Sequence, residues 1–128
     1  MDTTKKKILI VDDDASITEI FTDKLVASGF SVLVARDGES GLSLALHEHP
    51  DLVFLDILMP KMDGLAVLKE LKKDDWGQMV PIFMLTNIGE TEKISEALND
   101  KVTGYFIKGT TELDEIVGVA RTTLGLAS

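Results

Sequence analysis

The 128-residue sequence contains no cysteine, one tryptophan, one tyrosine and three prolines. Without cysteine, the chain can form neither a disulfide bond nor a thiolate metal site, and it has no catalytic thiol. Basic residues are also scarce: 13 stand against 22 acidic residues, which gives a formal charge of −9. Because phosphate contacts need a positive surface, we expect no direct binding of nucleic acid.

Long hydrophobic runs are absent as well. No apolar segment approaches the ~20 residues that span a bilayer, and no apolar segment of a signal peptide follows the basic residues Lys5–Lys7. We therefore expect a cytoplasmic protein without membrane contacts. The length suits a single domain over residues 1–128 with one core.

The apolar residues that are present form five short runs along the chain. Three of them, ILIV, LVFL and IFML, are nearly continuous instead of alternating with polar residues. Strands buried on both faces of a parallel sheet have this composition. The five predicted strands are Ile8–Val11, Ser31–Ala35, Leu52–Leu55, Pro81–Leu85 and Gly104–Ile107.

The segments between these strands have the hydrophobic spacing of helices. The first two predicted apolar stripes are Ile17, Ile20, Phe21 and Leu25, then Leu42, Ala45 and Leu46. Five βα units in succession predict an α/β fold, with a doubly wound parallel sheet and helices on both faces. The polar stretch Lys73–Met79 is expected to be a surface loop.

Chemically useful side chains end four of the predicted strands. They are Asp12, Asp13 and Asp14 after the first strand, Asp56 after the third, Thr86 after the fourth and Lys108 after the fifth. In a sheet of this kind, ligands bind at the carboxyl ends of the strands. Carboxylates held together there would repel each other, and a divalent cation would relieve the repulsion. A site built only of oxygen ligands favours Mg²⁺ over Zn²⁺.

Lys108 and Thr86 add a positive charge and a hydroxyl group to this edge. Together with a metal ion, they suit the oxygens of a phosphoryl group in transfer. No serine or cysteine with a neighbouring base is available, so the nucleophile would be a carboxylate. Asp56 is the best placed, because it stands alone at the end of the LVFL run, whereas Asp12 and Asp13 are more typical of a metal pair.

In order and spacing, these segments resemble receiver domains of two-component response regulators, of the single-domain chemotaxis and sporulation-relay type. The segments that carry the resemblance are ILIVDDD (8–14), DLVFLDILMPKMDGL (51–65), PIFMLT (81–86) and GYFIK (104–108). The resemblance covers residues 6–124. It implies a flavodoxin-like (βα)5 fold with strand order 2-1-3-4-5.

The resemblance also implies a role for each site residue. Asp56 becomes the phosphoacceptor, and Thr86 and Lys108 become the switch residues that bind the phosphoryl group. The Mg²⁺ ligands would be Asp13, Asp56 and the backbone carbonyl of Leu58, with Asp12 acting mainly through a water molecule. Tyr105 would be the aromatic residue whose rotamer reports the state. For Asp14 we expect only a helix cap, and for Pro60, Asp63 and Gly64 the turn into the third helix.

The sequence departs from the family pattern at two positions. Gly109 replaces the proline that usually follows the switch lysine, and Asn87 replaces a small residue after the switch threonine. In addition, Leu58 and Ile88 are apolar, so neither can orient a hydrolytic water molecule. We therefore predict an aspartyl phosphate that decays slowly.

The implied function is a phosphorylation-activated signalling switch. A sensor histidine kinase or a phosphotransfer protein would donate the phosphoryl group. The fourth helix, fifth strand and fifth helix would carry the signal through a partner or homodimer contact. The five βα units use the whole length, so output would need another protein or a C-terminal domain absent from this chain. The chain would catalyse only its own modification and would not turn over a substrate.

Three other functions fit the sequence less well. A Mg²⁺-dependent phosphatase of the haloacid-dehalogenase kind would need a second acid two residues after Asp56, where Leu58 stands. A flavodoxin-like nucleotide-binding protein would need a glycine-rich phosphate motif, which is absent. A degenerate receiver that binds proteins without phosphorylation is the main alternative, because Gly109 and Asn87 depart from the pattern.

Overall fold

A single five-stranded sheet forms the centre of the computed structural model, which describes residues 5–87, 89, 94–99 and 101–126. All strand pairs are parallel, and the strand order is β2-β1-β3-β4-β5. The strands are β1 Lys7–Val11, β2 Ser31–Ala35, β3 Leu52–Asp56, β4 Ile82–Thr86 and β5 Gly104–Ile107. The predicted fold class and strand order are therefore confirmed.

Helices cover both faces of the sheet. They are α1 Ala15–Ala27, α2 Gly38–Glu48, α3 Gly64–Leu71, α4 Asp75–Met79, α5 Ile94–Asn99 and α6 Leu113–Thr123. Helices α2, α3 and α5 pack on one face through residues such as Ala45, Leu68 and Ala97. Helices α1 and α6 pack on the other face through residues such as Phe21 and Ile116. Side chains of the central strands alternate between the two cores, which explains their nearly continuous apolar sequences.

Helix α4 corrects the expected surface loop at Lys73–Met79. Asp74 caps this short helix, because its side chain accepts a hydrogen bond from the backbone N–H of Gly77 (3.1 Å). Gly77 also lies so close to Leu71 that a Cβ atom would be 1.9 Å from the Leu71 carbonyl oxygen. Trp76 of α4 stacks on His49, with 4.6 Å between ring centroids. The fourth and fifth helices of the sequence prediction thus correspond to α5 and α6.

The assignment of two residues to buried apolar stripes is wrong. Ile20 is 49% exposed and Leu46 is 38% exposed. In α1, Thr18 occupies the buried position instead of Ile20, since its hydroxyl donates to the carbonyl of Ala15 (3.0 Å) and so loses no hydrogen bond on burial. Hydrophobic spacing alone did not indicate that a threonine could replace an isoleucine on the buried face.

The end of α6 is set by a local hydrogen-bond pattern. Gly125, with φ +73°, donates to Thr122, and the N–H of Leu126 donates to the carbonyl of Arg121 (2.8 Å). This Schellman arrangement needs a residue with positive φ, which glycine adopts without strain. Within the described ranges, none of the helices combines the length and apolar character needed to cross a membrane.

Candidate metal and phosphoryl site

The pairing of β1 with β3 brings two of the predicted acids together. Val11 lies opposite Leu55 in the parallel register, so Asp12 and Asp56 are neighbours at the carboxyl edge of the sheet. Their side chains are almost fully buried, whereas Asp13 is exposed. One carboxylate oxygen from each of the three acids can be chosen so that all three lie within 4.8 Å of one another.

The pairing of β4 with β5 brings the predicted hydroxyl and ammonium groups to the same edge. The backbone N–H of Lys108 donates to the carbonyl of Thr86 (2.7 Å), directly beyond the last register pair, Thr86 with Ile107. The side chain of Lys108 is only 9% exposed. Its Nζ lies 2.9 Å from Asp12 Oδ2 and 3.2 Å from Asp56 Oδ1.

The hydrogen bonds of the two buried acids are unequal. Asp12 is fully satisfied, because Oδ1 accepts from the backbone N–H of Asp14 (2.9 Å) and Oδ2 accepts from Lys108. Asp56 Oδ1 is buried and has no well-oriented hydrogen bond within the part of the chain that the structure describes. An unsatisfied buried carboxylate oxygen is costly, and either a cation or a transferred phosphoryl group would relieve this cost. The acids therefore fit a hard divalent cation such as Mg²⁺.

Burial and neighbouring charges shift the pKa values of Asp56 and Lys108. Burial, followed by the charge of Asp12, raises the pKa of Asp56 to about 7 against the opposing effect of Lys108. Burial alone would lower the pKa of Lys108, but its contacts with Asp12 and Asp56 raise it above the ordinary value. Lys108 therefore stays charged, while Asp56 titrates near neutral pH without a metal ion.

An open cleft of about 570 Å³ leads to Asp56. Its lining includes Asp13, Leu58, Asn87, Lys108 and Gly109. The Leu58 side chain is 42% exposed, so an apolar group borders the cleft. Gly109 has φ +78°, a conformation that the ring of a proline, with φ near −65°, could not adopt.

The remaining predicted switch residues are placed as follows. Thr86 is fully buried, and its hydroxyl donates to the backbone carbonyl of Asn87 (3.2 Å). Tyr105 lies on the edge strand β5 and is 45% exposed. Ile88 lies outside the described residues. The structure thus brings Asp12, Asp13, Asp56 and Lys108 into one cluster, with Thr86 at the end of the strand beside Asp56.

The segment after Asp56 is shaped by local contacts. Gly64 begins α3 so close to β3 that a Cβ atom would lie 2.0 Å from the carbonyl oxygen of Asp56. Asp63 caps α3 by accepting from the N–H of Ala66 (2.9 Å), and Asp14 caps α1 by accepting from Ser16 (2.9 Å). The turn predicted for Asp63 and Gly64 and the cap predicted for Asp14 are confirmed.

No role was predicted for Gly38 and Gly41, two glycines at the start of α2, although they contact this site region. A Cβ atom on Gly38 would lie 1.8 Å from the carbonyl oxygen of Met62, and one on Gly41 would lie 2.6 Å from a methyl group of Val11. Glycine is a poor helix former, so two glycines within one turn of a predicted helix were the available signal.

Residues 8–120 match the response regulator receiver domain family. The chain belongs to this family. The receiver domain covers most of the 128 residues, and the motifs quoted from the sequence all lie inside the matched range or at its edge.

Similar proteins support this assignment. A probable transcriptional regulator ycf27 of Guillardia theta is 46% identical over 101 residues, which are 79% of this chain and 36% of that protein. The alkaline phosphatase synthesis transcriptional regulatory protein PhoP of Bacillus subtilis is 47% identical over 81 residues, which are 63% of this chain and 33% of that protein. The matched part of the chain therefore spans about a third of the length of these two regulators.

Solved structures agree with the fold. A putative response regulator from Chloroflexus aurantiacus superposes with a TM-score of 0.87 at 28% identity, covering 95% of this chain and 99% of that chain. The REC domain of AraT from Geobacillus stearothermophilus superposes with a TM-score of 0.83 at 31% identity, covering 95% and 97%. Both are response regulator proteins, in accordance with the family match.

Proposed function

We propose that Asp56 accepts a phosphoryl group from a phosphohistidine of a sensor histidine kinase or a phosphotransfer protein. The observation that carries this proposal is Asp56 Oδ1, which is buried at the strand end 3.2 Å from Lys108 Nζ and, among the described residues, accepts no well-oriented hydrogen bond. The carboxylate oxygen attacks phosphorus, the phosphorus–nitrogen bond breaks, and the imidazole leaves with the bonding electrons. No further substrate is converted, so the receiver domain acts as a switch instead of a turnover enzyme.

The chain's own residues supply most of what this reaction needs. Lys108 is positioned to move from Asp12 toward the new phosphoryl oxygens, and the Thr86 hydroxyl can exchange the Asn87 carbonyl for one of them. Asp12, Asp13, Asp56 and the Leu58 carbonyl would hold Mg²⁺. When bound, the ion would keep Asp56 in its charged form and neutralise the phosphoryl oxygens.

The signal would leave through α5, β5 and α6. The N–H of Lys108 is bonded to the carbonyl of Thr86, so movement of either switch residue strains the ends of β4 and β5. Tyr105 on β5 is exposed enough to change rotamer as this happens. We expect this face to contact an effector protein, a further domain or a second copy of the chain.

Incubation with acetyl phosphate and Mg²⁺ tests the proposal. We expect intact-mass spectrometry to detect a gain of about 80 Da, corresponding to one phosphoryl group. The gain should be absent in Asp56→Asn and in wild type treated with EDTA. Asp51→Asn, which alters an acid at the opposite end of β3, serves as the matched control and should gain the same mass.

A wild-type protein that folds and binds Mg²⁺ but gains no mass would contradict phosphorylation of Asp56. That result would favour the alternative of a receiver that binds proteins without phosphorylation. Modification that persists in Asp56→Asn would instead place the acceptor elsewhere.

A further inference from the structure

Helix α2 contributes no side chain to the cluster of acids, yet its first turn contacts the two chain segments that carry the proposed metal ligands. Gly38 faces the β3–α3 loop, and Gly41 faces the end of β1. We propose that Gly38 and Gly41 are positioning residues for Mg²⁺. This inference rests on the proposed metal site and names the contacts that set its geometry.

The first contact acts on the loop that contains Leu58. A Cβ atom on Gly38 would approach the Met62 carbonyl oxygen to 1.8 Å and Met62 Cβ to 2.7 Å. Because the nearest atom belongs to the backbone, no change of rotamer could make room. On the other side, a Cβ atom on Gly64 would lie 2.0 Å from the Asp56 carbonyl oxygen. The loop between Asp56 and α3 is therefore held between two glycines, one from α2 and one from α3.

The second contact acts on the strand that leads to Asp12 and Asp13. A Cβ atom on Gly41 would lie 2.6 and 2.9 Å from the two methyl groups of Val11. Val11 is opposite Ala35 on one side and Leu55 on the other, so it cannot move away without disturbing both strand pairs. A displacement of Val11 would be passed directly to the next residues, Asp12 and Asp13.

Gly38 and Gly41 are three residues apart and so lie on the same face of α2. A larger residue at either position would push α2 away from the sheet edge or displace a ligand-bearing segment. Metal affinity depends steeply on the separation of carboxylate and carbonyl oxygens, because Mg²⁺ requires nearly ideal octahedral geometry. The effect on the metal should therefore exceed what loss of stability alone would produce.

Calorimetric titration of the whole chain with MgCl2 tests this role. We expect Gly38→Ala and Gly41→Ala each to raise the Mg²⁺ dissociation constant by about tenfold or more, as is usual for residues that orient metal ligands. Gly118→Ala is the matched control, because this α6 glycine has no atom within 4 Å of an added Cβ. It should bind Mg²⁺ like wild type.

A compensating substitution separates position from stability. Val11→Ala removes both methyl groups that crowd position 41 and leaves only Cβ, at 3.3 Å. In the Gly41→Ala background it should restore Mg²⁺ affinity, and it should not do so for Gly38→Ala. The comparison of Gly41→Ala with and without Val11→Ala also keeps the test decisive if Gly38→Ala does not fold. Val53→Ala, at the far end of β3, should lower the midpoint of thermal unfolding in EDTA but change the dissociation constant by less than about twofold.

Unchanged Mg²⁺ affinity in folded Gly38→Ala and Gly41→Ala would overturn the positioning role and leave the proposed function intact. An equal loss of affinity in Val53→Ala would also overturn it, since stability would then explain the effect. A wild-type protein that binds no Mg²⁺ would overturn both the positioning role and the metal site on which it rests.

Discussion

At the scale of single residues, the site depends on an unequal pair of acids. Asp12 and Asp56 lie at the ends of neighbouring strands and are both buried, but among the described residues only Asp12 accepts a well-oriented hydrogen bond on each oxygen. Oδ1 of Asp56 lies 3.2 Å from Lys108 Nζ, yet it has no well-oriented hydrogen bond within the part of the chain that the structure describes. Of the two buried acids, the one with the less satisfied carboxylate is thus the residue for which we propose covalent modification.

Replacement of Asp56 by asparagine should stabilise the metal-free protein. Burial raises the pKa of Asp56 from 3.8 to about 7, so between these values the folded state binds more protons than the unfolded state. The stability contributed by the protonated group is complete below about pH 4 and is lost as the pH rises through about 7. We expect thermal unfolding of Asp56→Asn at pH 8 to have a midpoint about 5 °C above wild type.

The pH dependence provides the control for this prediction. The difference between Asp56→Asn and wild type should shrink as the pH falls from 8 to 5, and saturating Mg²⁺ should also reduce it. The exposed Asp75→Asn variant should show neither dependence. A stabilisation that grows toward pH 5 would contradict the raised pKa of Asp56.

Leu58 should make the proposed aspartyl phosphate long-lived. Its apolar side chain borders the cleft and cannot orient an attacking water molecule. Leu58→Asn keeps the backbone carbonyl and adds hydrogen-bonding groups. One hydrogen bond worth about 1 kcal/mol in the transition state would accelerate hydrolysis about fivefold. Loss of radiolabel from phosphorylated protein measures the lifetime. A wild-type lifetime of seconds would contradict the prediction of a long-lived aspartyl phosphate.

At the scale of elements, aspartate caps set where four of the helices begin. Asp14, Asp37, Asp63 and Asp74 each accept a hydrogen bond from a backbone N–H in the first turn of the following helix. Helix α6 differs, because Glu112 occupies the cap position without a side-chain hydrogen bond. The helices that follow β1, β2 and β3 are therefore anchored at the end of the sheet that carries the site.

Removal of one of these caps gives a prediction with an internal control. Asp63→Ala loses the hydrogen bond to Ala66 and should lower the free energy of unfolding by about 1 kcal/mol. Glu112→Ala removes an acid from the same position of α6 and should have a much smaller effect, since no cap bond is lost. Urea denaturation of both variants makes the comparison, and equal effects would contradict the assignment of Asp63 as the functional cap.

At the scale of the whole molecule, the sheet has one edge, at β4 and β5, that we expect to change on phosphorylation and another, at β2, that we expect to stay fixed. Thr86 and Lys108 end β4 and β5, next to α5 and α6. Helix α2 lies near the other edge, where its glycines contact the β1 end and the β3–α3 loop. The strand order β2-β1-β3-β4-β5 places the acids between these two sides.

Hydrogen exchange before and after phosphorylation with acetyl phosphate should reveal this division. We expect the exchange rates to change in peptides that cover β4 through α6, because the switch residues acquire a new partner there. Peptides that cover β2 and α2 should exchange at the same rate in both states, and an unphosphorylated Asp56→Asn sample treated in the same way corrects for reagent effects. Changes confined to β2 and α2 would refute the proposed direction of signalling.

The sequence by itself determined the five strands, the parallel sheet and the types of residue at its carboxyl edge. Continuous apolar runs such as LVFL can be buried only between two layers, and the polar residue that ends each run must lie at the edge of the core. The cap at Asp14 could also be predicted from the sequence, because capping depends on neighbours within one helical turn. These features are local, so residue type and spacing were sufficient to predict them.

Only the tertiary structure decided which groups are satisfied and which are not. Lys108 lies 96 residues from Asp12, to which it donates, and within the described residues Asp56 Oδ1 has no well-oriented hydrogen bond although the same Nζ is 3.2 Å away. The exposure of Ile20 and the close contacts of Gly38 and Gly41 likewise depend on segments distant in the chain. Burial and hydrogen bonding are properties of the packed molecule, since a residue's spacing does not indicate which distant atoms will occupy the space beside it.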